Sequence, residues 1–313
     1  MNFFLAAISV PFSGVLVRYR ANYAPKGIQL DGEPASTNGP DVRGYFAMMK
    51  RVYKLEGWAG LYKGLMPVLI TPIIGLLFGL SISFALLKAT LPSLPTPVSQ
   101  VLFILFSSII INIPLSIIIN RAICTPYVLP YFSLKTAFGV LLTPTERHRP
   151  WNLYLTPGLI FANFLTAFIV FFTKVIFVIA MSAIPLDKVG FDPLFLSISL
   201  GAVIMLFSSA LISPLQVMAM RLTLQRNHGK KIKEESDGQP QTQDEQAAKL
   251  ELKAYSLDVD VMGFRDELDP YTSLYNCFIR VKQEEGWRVF YRAFWVTVLL
   301  QIGVVLTTPT GQI

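Results

Sequence analysis

The stretch LFLSISLGAVIMLFSSALISPLQVMAMR, residues 194–221, runs for 27 residues (194–220) without a charge before it reaches Arg221. A hydrocarbon core takes about 20 residues of helix. A strand needs far fewer, so the length itself selects a membrane-spanning helix. Pro214 lies in its second half. A proline inside a helix removes one backbone hydrogen bond and kinks the span, which membranes tolerate where a neighbour satisfies the freed carbonyl.

Other blocks read the same way. Residues 98–119 carry no charge, residues 157–184 carry only Lys174, and residues 65–87 form a further apolar run. The two chain ends, Met1 to Val17 and Ala293 to Leu306, are shorter apolar runs that complete six spans. A secretory signal is the alternative for the first, but it lacks a basic start and a small-residue cleavage site. Across 313 residues, 53% are hydrophobic and 15% are charged, too few charges for an ordinary soluble domain.

The net charge of +7 would suit a nucleic-acid binder, but the placement of its 27 Lys and Arg argues against one. Only Lys88, Lys174 and Lys188 lie in or near the even spans and the short connections 89–97 and 185–193. The rest gather at the ends of odd spans and in the loops 18–64, 121–156 and 221–292. This bias orients a membrane protein, with the basic loops on one side and both termini on the other. Cys124 and Cys277 form no disulfide framework and no metal motif. No phosphate loop, metal spacing or Ser-His-Asp set is present. The sequence therefore predicts no enzyme, cofactor or metal.

Pro214 has two counterparts, Pro11 and Pro114, and each of the three is followed seven residues later by an arginine: Arg18, Arg121 and Arg221. A second landmark follows. Glu56-Gly57-Trp58 leads to Leu61-Tyr62-Lys63-Gly64, and Glu285-Gly286-Trp287 leads to Phe290-Tyr291-Arg292-Ala293. The middle copy reads as Pro150-Trp151-Asn152-Leu153-Tyr154. Each landmark opens the next apolar run, where Trp and Tyr suit a membrane interface. The chain thus divides into repeats over 1–95, 96–190 and 191–313. The last carries a polar insertion at about 228–269 whose composition predicts disorder or a docking segment for a protein partner.

These elements resemble the mitochondrial carrier family. That family has three repeats of about 100 residues, each with a Pro-x-acid-x-x-base signature, then Glu-Gly and a Tyr-basic-Gly element. The resemblance covers nearly the whole chain. It implies an all-α membrane protein with six transmembrane helices in three pseudo-threefold repeats of a helix pair around a central cavity. It also implies a mitochondrial membrane, the inner before the outer. The signature's charges are missing: Ser13, Ser116 and Gln216 stand at the acid positions, and Leu16, Ile119 and Ala219 at the base positions. On the even helices, Phe84–Lys88 keeps a base without its acid. The first span begins only ten residues before Pro11, shorter than the family's first helix.

Family substrate positions fall near Thr71, Asn163 and Leu300, with Gln301 beside the last. Asn163 is the strongest candidate, since an amide can recognise a polar solute; interhelical hydrogen bonding is the alternative for each. None of these positions is charged, which argues against nucleotides. Lys174 either faces the cavity or snorkels to the interface. Tyr62, Lys63 and Gly64 resemble the family's lipid-binding element, with cardiolipin as the implied lipid. The resemblance makes Pro11, Pro114 and Pro214, with Arg18, Arg121 and Arg221, the kink and gate residues. The expected function is transport of a small, weakly charged solute by alternating access. The alternative is a non-transporting scaffold or docking protein of the outer mitochondrial membrane.

Overall fold

The computed structural model describes residues 3–25, 42, 44–71, 73–75, 77, 97–130, 133–183, 193–227, 254–255, 260–267 and 269–306. Among them the chain is helical, with one isolated antiparallel bridge, Tyr127 to Ala254, and no strand. The helices are α1 (Phe3–Ala21), α2 (Tyr45–Leu61), α3 (Leu65–Gly75), α4 (Pro97–Cys124), α5 (Leu134–Leu141), α6 (Pro144–His148), α7 (Leu159–Ala183), α8 (Pro193–Leu224), α9 (Leu274–Glu284) and α10 (Phe294–Leu306). Short 3-10 turns at Pro150–Leu153 and Trp287–Tyr291 precede α7 and α10.

Two helical segments, Leu159–Ala180 and Ser199–Leu224, are long and apolar enough to cross a membrane. Counting the bent pair α2 and α3 as one broken span makes three. The protein is therefore a helical membrane protein. The remaining spans expected from the sequence run over residues that lie partly outside the described ones, and six spans are not all represented. α7 turns Phe161, Phe164, Phe168 and Phe172 outward, and the last three form a ladder of ring contacts 6.2 and 4.4 Å apart. An exposed apolar aromatic face of this kind suits contact with lipid or with another protein.

α1, α4 and α8 touch one another pairwise, while α7 packs on α4 and α8, and α10 packs on α8. One apolar core joins Ile113 and Ile117 of α4 and Leu215 and Leu222 of α8 to Leu159, Val281 and Phe290. A second joins Val15 and Leu16 of α1 to Met48 and Val52 of α2 and to Ala293.

The proline helices share one more property. Each ends three residues beyond its arginine: Arg18 before Ala21, Arg121 before Cys124 and Arg221 before Leu224. Pro114 deprives the Ile110 carbonyl of its helical partner, and the Tyr154 hydroxyl donates to that oxygen at 2.8 Å. This is how a membrane helix absorbs a proline.

Candidate functional site

The functional geometry gathers where α1, α4 and α8 end. The last carbonyls of a helix have no partner within it. Here arginines supply the partners, and they do so in a circle. Arg18 of α1 donates through Nε and Nη2 to the Ile123 carbonyl of α4, at 3.0 and 2.8 Å. Arg121 of α4 donates to Thr223 O at 3.0 Å and Gln225 O at 2.7 Å, at the end of α8. Arg221 of α8 donates back to Arg20 O at 3.4 Å and Asn22 O at 3.2 Å, at the end of α1. The accepting carbonyls sit two or four residues after the neighbour's own arginine.

Each guanidinium is also neutralised. Arg18 Nη2 lies 2.9 Å from Glu56 Oε2, an ion pair without an aligned hydrogen bond. Arg121 grips Glu146 with two hydrogen bonds of 2.6 and 3.0 Å. Arg221 pairs with both Glu285 oxygens, one at 3.0 Å. All six side chains are 4% exposed or less. A charge this deep needs a partner, because taking it from water unpaired costs several kcal/mol.

Glu56 and Glu285 come from the two Glu-Gly-Trp elements. Gly57 and Gly286 both adopt positive φ, 67° and 90°, which breaks the backbone after each glutamate. The middle glutamate arises differently. Thr143 caps α6, accepting from Glu146 N, while Glu146 Oε2 accepts from Thr143 N at 3.0 Å: a complete capping box. Glu146 also accepts from the Asn227 amide at 3.1 Å. Burial pushes the Glu146 carboxyl up, but the Arg121 hydrogen bonds and charge, with the two backbone amides, outweigh it and hold it below the usual carboxylate range.

The middle copy is thus more complete than the sequence reading allowed. It also supplies Gly158, with φ 80°, directly before α7. Gly64 (φ 79°) and Ala293 (φ 52°) stand directly before α3 and α10. A Cβ at Gly158 would fall 2.4 Å from Leu274 N, so only glycine fits that crossing.

Lys63 is turned inward, with 7% exposure. Its ammonium pairs with Glu56, donates to Thr125 O at 2.8 Å and lies 4.0 Å from the Tyr255 ring centre. Lys63 therefore directs its charge to Glu56, the Thr125 carbonyl and the Tyr255 ring. Arg292 plays the matching part in the third copy, 3.3 Å from Glu285 Oε2 and donating to Asn22 O.

At the positions where the family signature has acids, Ser13 and Ser116 donate back to Val10 O and Ile113 O of their own helices. Gln216 Oε1 instead accepts from Arg20 at 2.7 Å. Arg20 is buried among neutral acceptors, including Thr297 Oγ1 at 2.6 Å. Of the substrate candidates, Asn163 donates to Leu159 O at 2.9 Å and Thr71 to Pro67 O at 2.8 Å, both one turn back. Gln301 is buried and Leu300 faces outward. These side chains are not brought together into one described pocket. Phe84–Lys88 lies outside the described residues.

Cys124 and Cys277 are buried free thiols, and burial pushes Cys277 up to about 12. Among the described residues no group of three His, Cys, Asp or Glu could hold a metal ion. No family model matches the chain, and no curated protein does.

Proposed function

We propose that this chain is a divergent member of the mitochondrial carrier family, moving a small, weakly charged solute by alternating access across a mitochondrial membrane, the inner before the outer. Its six helices would form three helix-pair repeats around a central cavity. The observation that carries this reading is the circle Arg18 to Ile123, Arg121 to Thr223, Arg221 to Arg20. A cyclic relation among three proline-kinked helices is what threefold repetition around an axis requires, and an axis of this kind accommodates a path for a solute. The apolar Leu16, Ile119 and Ala219 favour a solute of low charge over a nucleotide. Asn163, whose carbonyl oxygen is left over after its amide donates to Leu159 O, remains the first residue to test.

A second reading, a scaffold in the outer membrane with no solute path, is favoured by one observation. Asn163 and Thr71 both spend donors on their own helices. Uptake into proteoliposomes, with a panel of small metabolites, separates the two. Transport predicts that one solute class is taken up and raises the melting temperature, and that Asn163→Leu abolishes both effects. A folded protein that neither accumulates nor is stabilised by any solute would leave the scaffold reading.

A further inference from the structure

Arg18, Arg121 and Arg221 recur around the bundle, but Arg20 has no counterpart. It stands nine residues after Pro11, and the residues nine after Pro114 and Pro214 are Ile123 and Thr223. Arg20 is 1% exposed. Among the described residues it has no carboxylate partner. Its bonds all go to neutral oxygens of the last third. Nη1 donates to Gln216 Oε1 of α8 at 2.7 Å. Nη2 donates to Thr297 Oγ1 of α10 at 2.6 Å and to Ala293 O at 3.3 Å, and Nε donates to Arg292 O at 3.1 Å. Thr297 Oγ1 in turn lies 3.4 Å from Gln216 Oε1. Ala293 is the one non-glycine residue at positive φ among the described residues, a strained conformation for a side chain. The two carbonyls that Arg20 grips flank its Cα.

Further contacts cross the same seam. The Tyr23 hydroxyl donates to Glu284 at 3.0 Å, Ala24 N donates to Glu285 Oε2 at 3.3 Å, and Arg292 donates to Tyr19 O at 3.4 Å and to Asn22 O. Residues 228–253 of the polar insertion lie outside the described ones, while 260–267 pack here. Gly263 N donates to Asn22 Oδ1 at 2.8 Å, and its carbonyl accepts from Tyr23 N at 3.1 Å. Arg51 donates to Val261 O at 3.0 Å and Asp260 O at 2.9 Å. The second apolar core draws its buried residues from these two thirds alone, with Ala293 set among Leu16, Tyr45 and Met48. Trp295 lays its ring against Tyr45 and Phe46, at 5.5 and 6.1 Å.

The chain runs directly from its first third to its middle and from its middle to its last. The first and last thirds are tethered only through the whole of it, and effective concentration falls as a tether lengthens. Their seam must therefore be held by its own contacts. A guanidinium buried without a counter-charge costs several kcal/mol unless hydrogen bonds satisfy it, and Arg20 spends its bonds on this seam. We infer that Arg20 is a pin joining the first and last thirds into one body, closing the bundle at the seam that no direct connection spans. The pin serves a transporter and a scaffold alike.

Distances between spin labels test this in full-length protein in detergent. Cys124 and Cys277 are replaced by alanine. Labels are attached in pairs at Tyr53→Cys in the first third, Leu155→Cys in the middle and Tyr275→Cys in the last, all exposed positions. In Arg20→Met the distance distribution between positions 53 and 275 is expected to widen, while that between 155 and 275 stays as in the parent. An unchanged 53–275 distribution would overturn the inference. So would equal widening of both, because Arg20 would then serve the whole fold and not this seam. Gln216→Glu tests the pin in a protein that keeps Arg20. The new carboxylate gives the guanidinium its counter-charge, so the melting temperature should rise by about 3 °C, the order that one well-formed interaction produces in a chain of this size. In the Arg20→Met background the same change should lower it, because the carboxylate is then the unpaired charge. A melting temperature that Gln216→Glu alone leaves unchanged or lowers would also overturn the pin.

Discussion

Glu146 shows most sharply what a single residue contributes here. It satisfies Arg121, closes its own helix cap and receives the Asn227 amide, all at 1% exposure. Replacing it with glutamine leaves a buried guanidinium without its counter-charge, which should cost ~3–5 kcal/mol. Chemical unfolding in detergent measures this directly. The pH dependence has a defined sign. A carboxyl held below its ordinary value of 4.5 binds its proton less readily folded than unfolded. Its stabilisation is complete above about pH 4.5 and is lost as the pH falls through the lower, folded value. Glu146→Gln should flatten that part of the stability curve; an unchanged acid limb would show that other carboxylates set it. Pro114 and Arg121 were legible in the sequence from spacing alone. Glu146 was not, because the middle copy lacks a Glu-Gly-Trp element. The signal was present as Thr143-x-x-Glu146, a capping-box pattern that places a glutamate by local helix geometry.

Among the elements, α4 has the clearest local ledger. Its proline leaves Ile110 O open, and the Tyr154 hydroxyl fills that place from the turn before α7. The connection fixes where the proline-bearing helix meets the turn before the next one. Tyr154→Phe keeps the ring and removes the donor. It should lower stability by ~1 kcal/mol, the net value of one such hydrogen bond. Equal melting of Tyr154→Phe and the parent would mean that the freed carbonyl finds another donor. The extents of α7 and α8 follow from uninterrupted apolar runs, so 157–184 and 194–220 were close to Leu159–Ala183 and Pro193–Leu224. The packing of residues 260–267 was less legible, because part of it runs through their backbone carbonyls and amides, which leave no mark in hydrophobic periodicity. Lys63 was legible only in part: a basic residue before a glycine at a helix start suits a phosphate, whereas its pairing with the buried Glu56 is set by packing that spacing does not reveal.

On the scale of the whole molecule, the arginine ring has two kinds of bond that run in different directions. Every carboxylate in it is matched to a base from its own third of the chain: Glu56 to Arg18 and Lys63, Glu146 to Arg121, Glu285 to Arg221 and Arg292. What reaches across to the next third is a charged group meeting an uncharged one: a guanidinium or ammonium on a carbonyl, and Glu285 on the Ala24 amide. Separating the three thirds would therefore pull no opposite charges of the ring away from each other. Mobile ions have little to screen in such a separation, since screening acts on exposed and separated charges. Salt in the surrounding solution would therefore have little hold on the ring itself, whose paired charges are all buried.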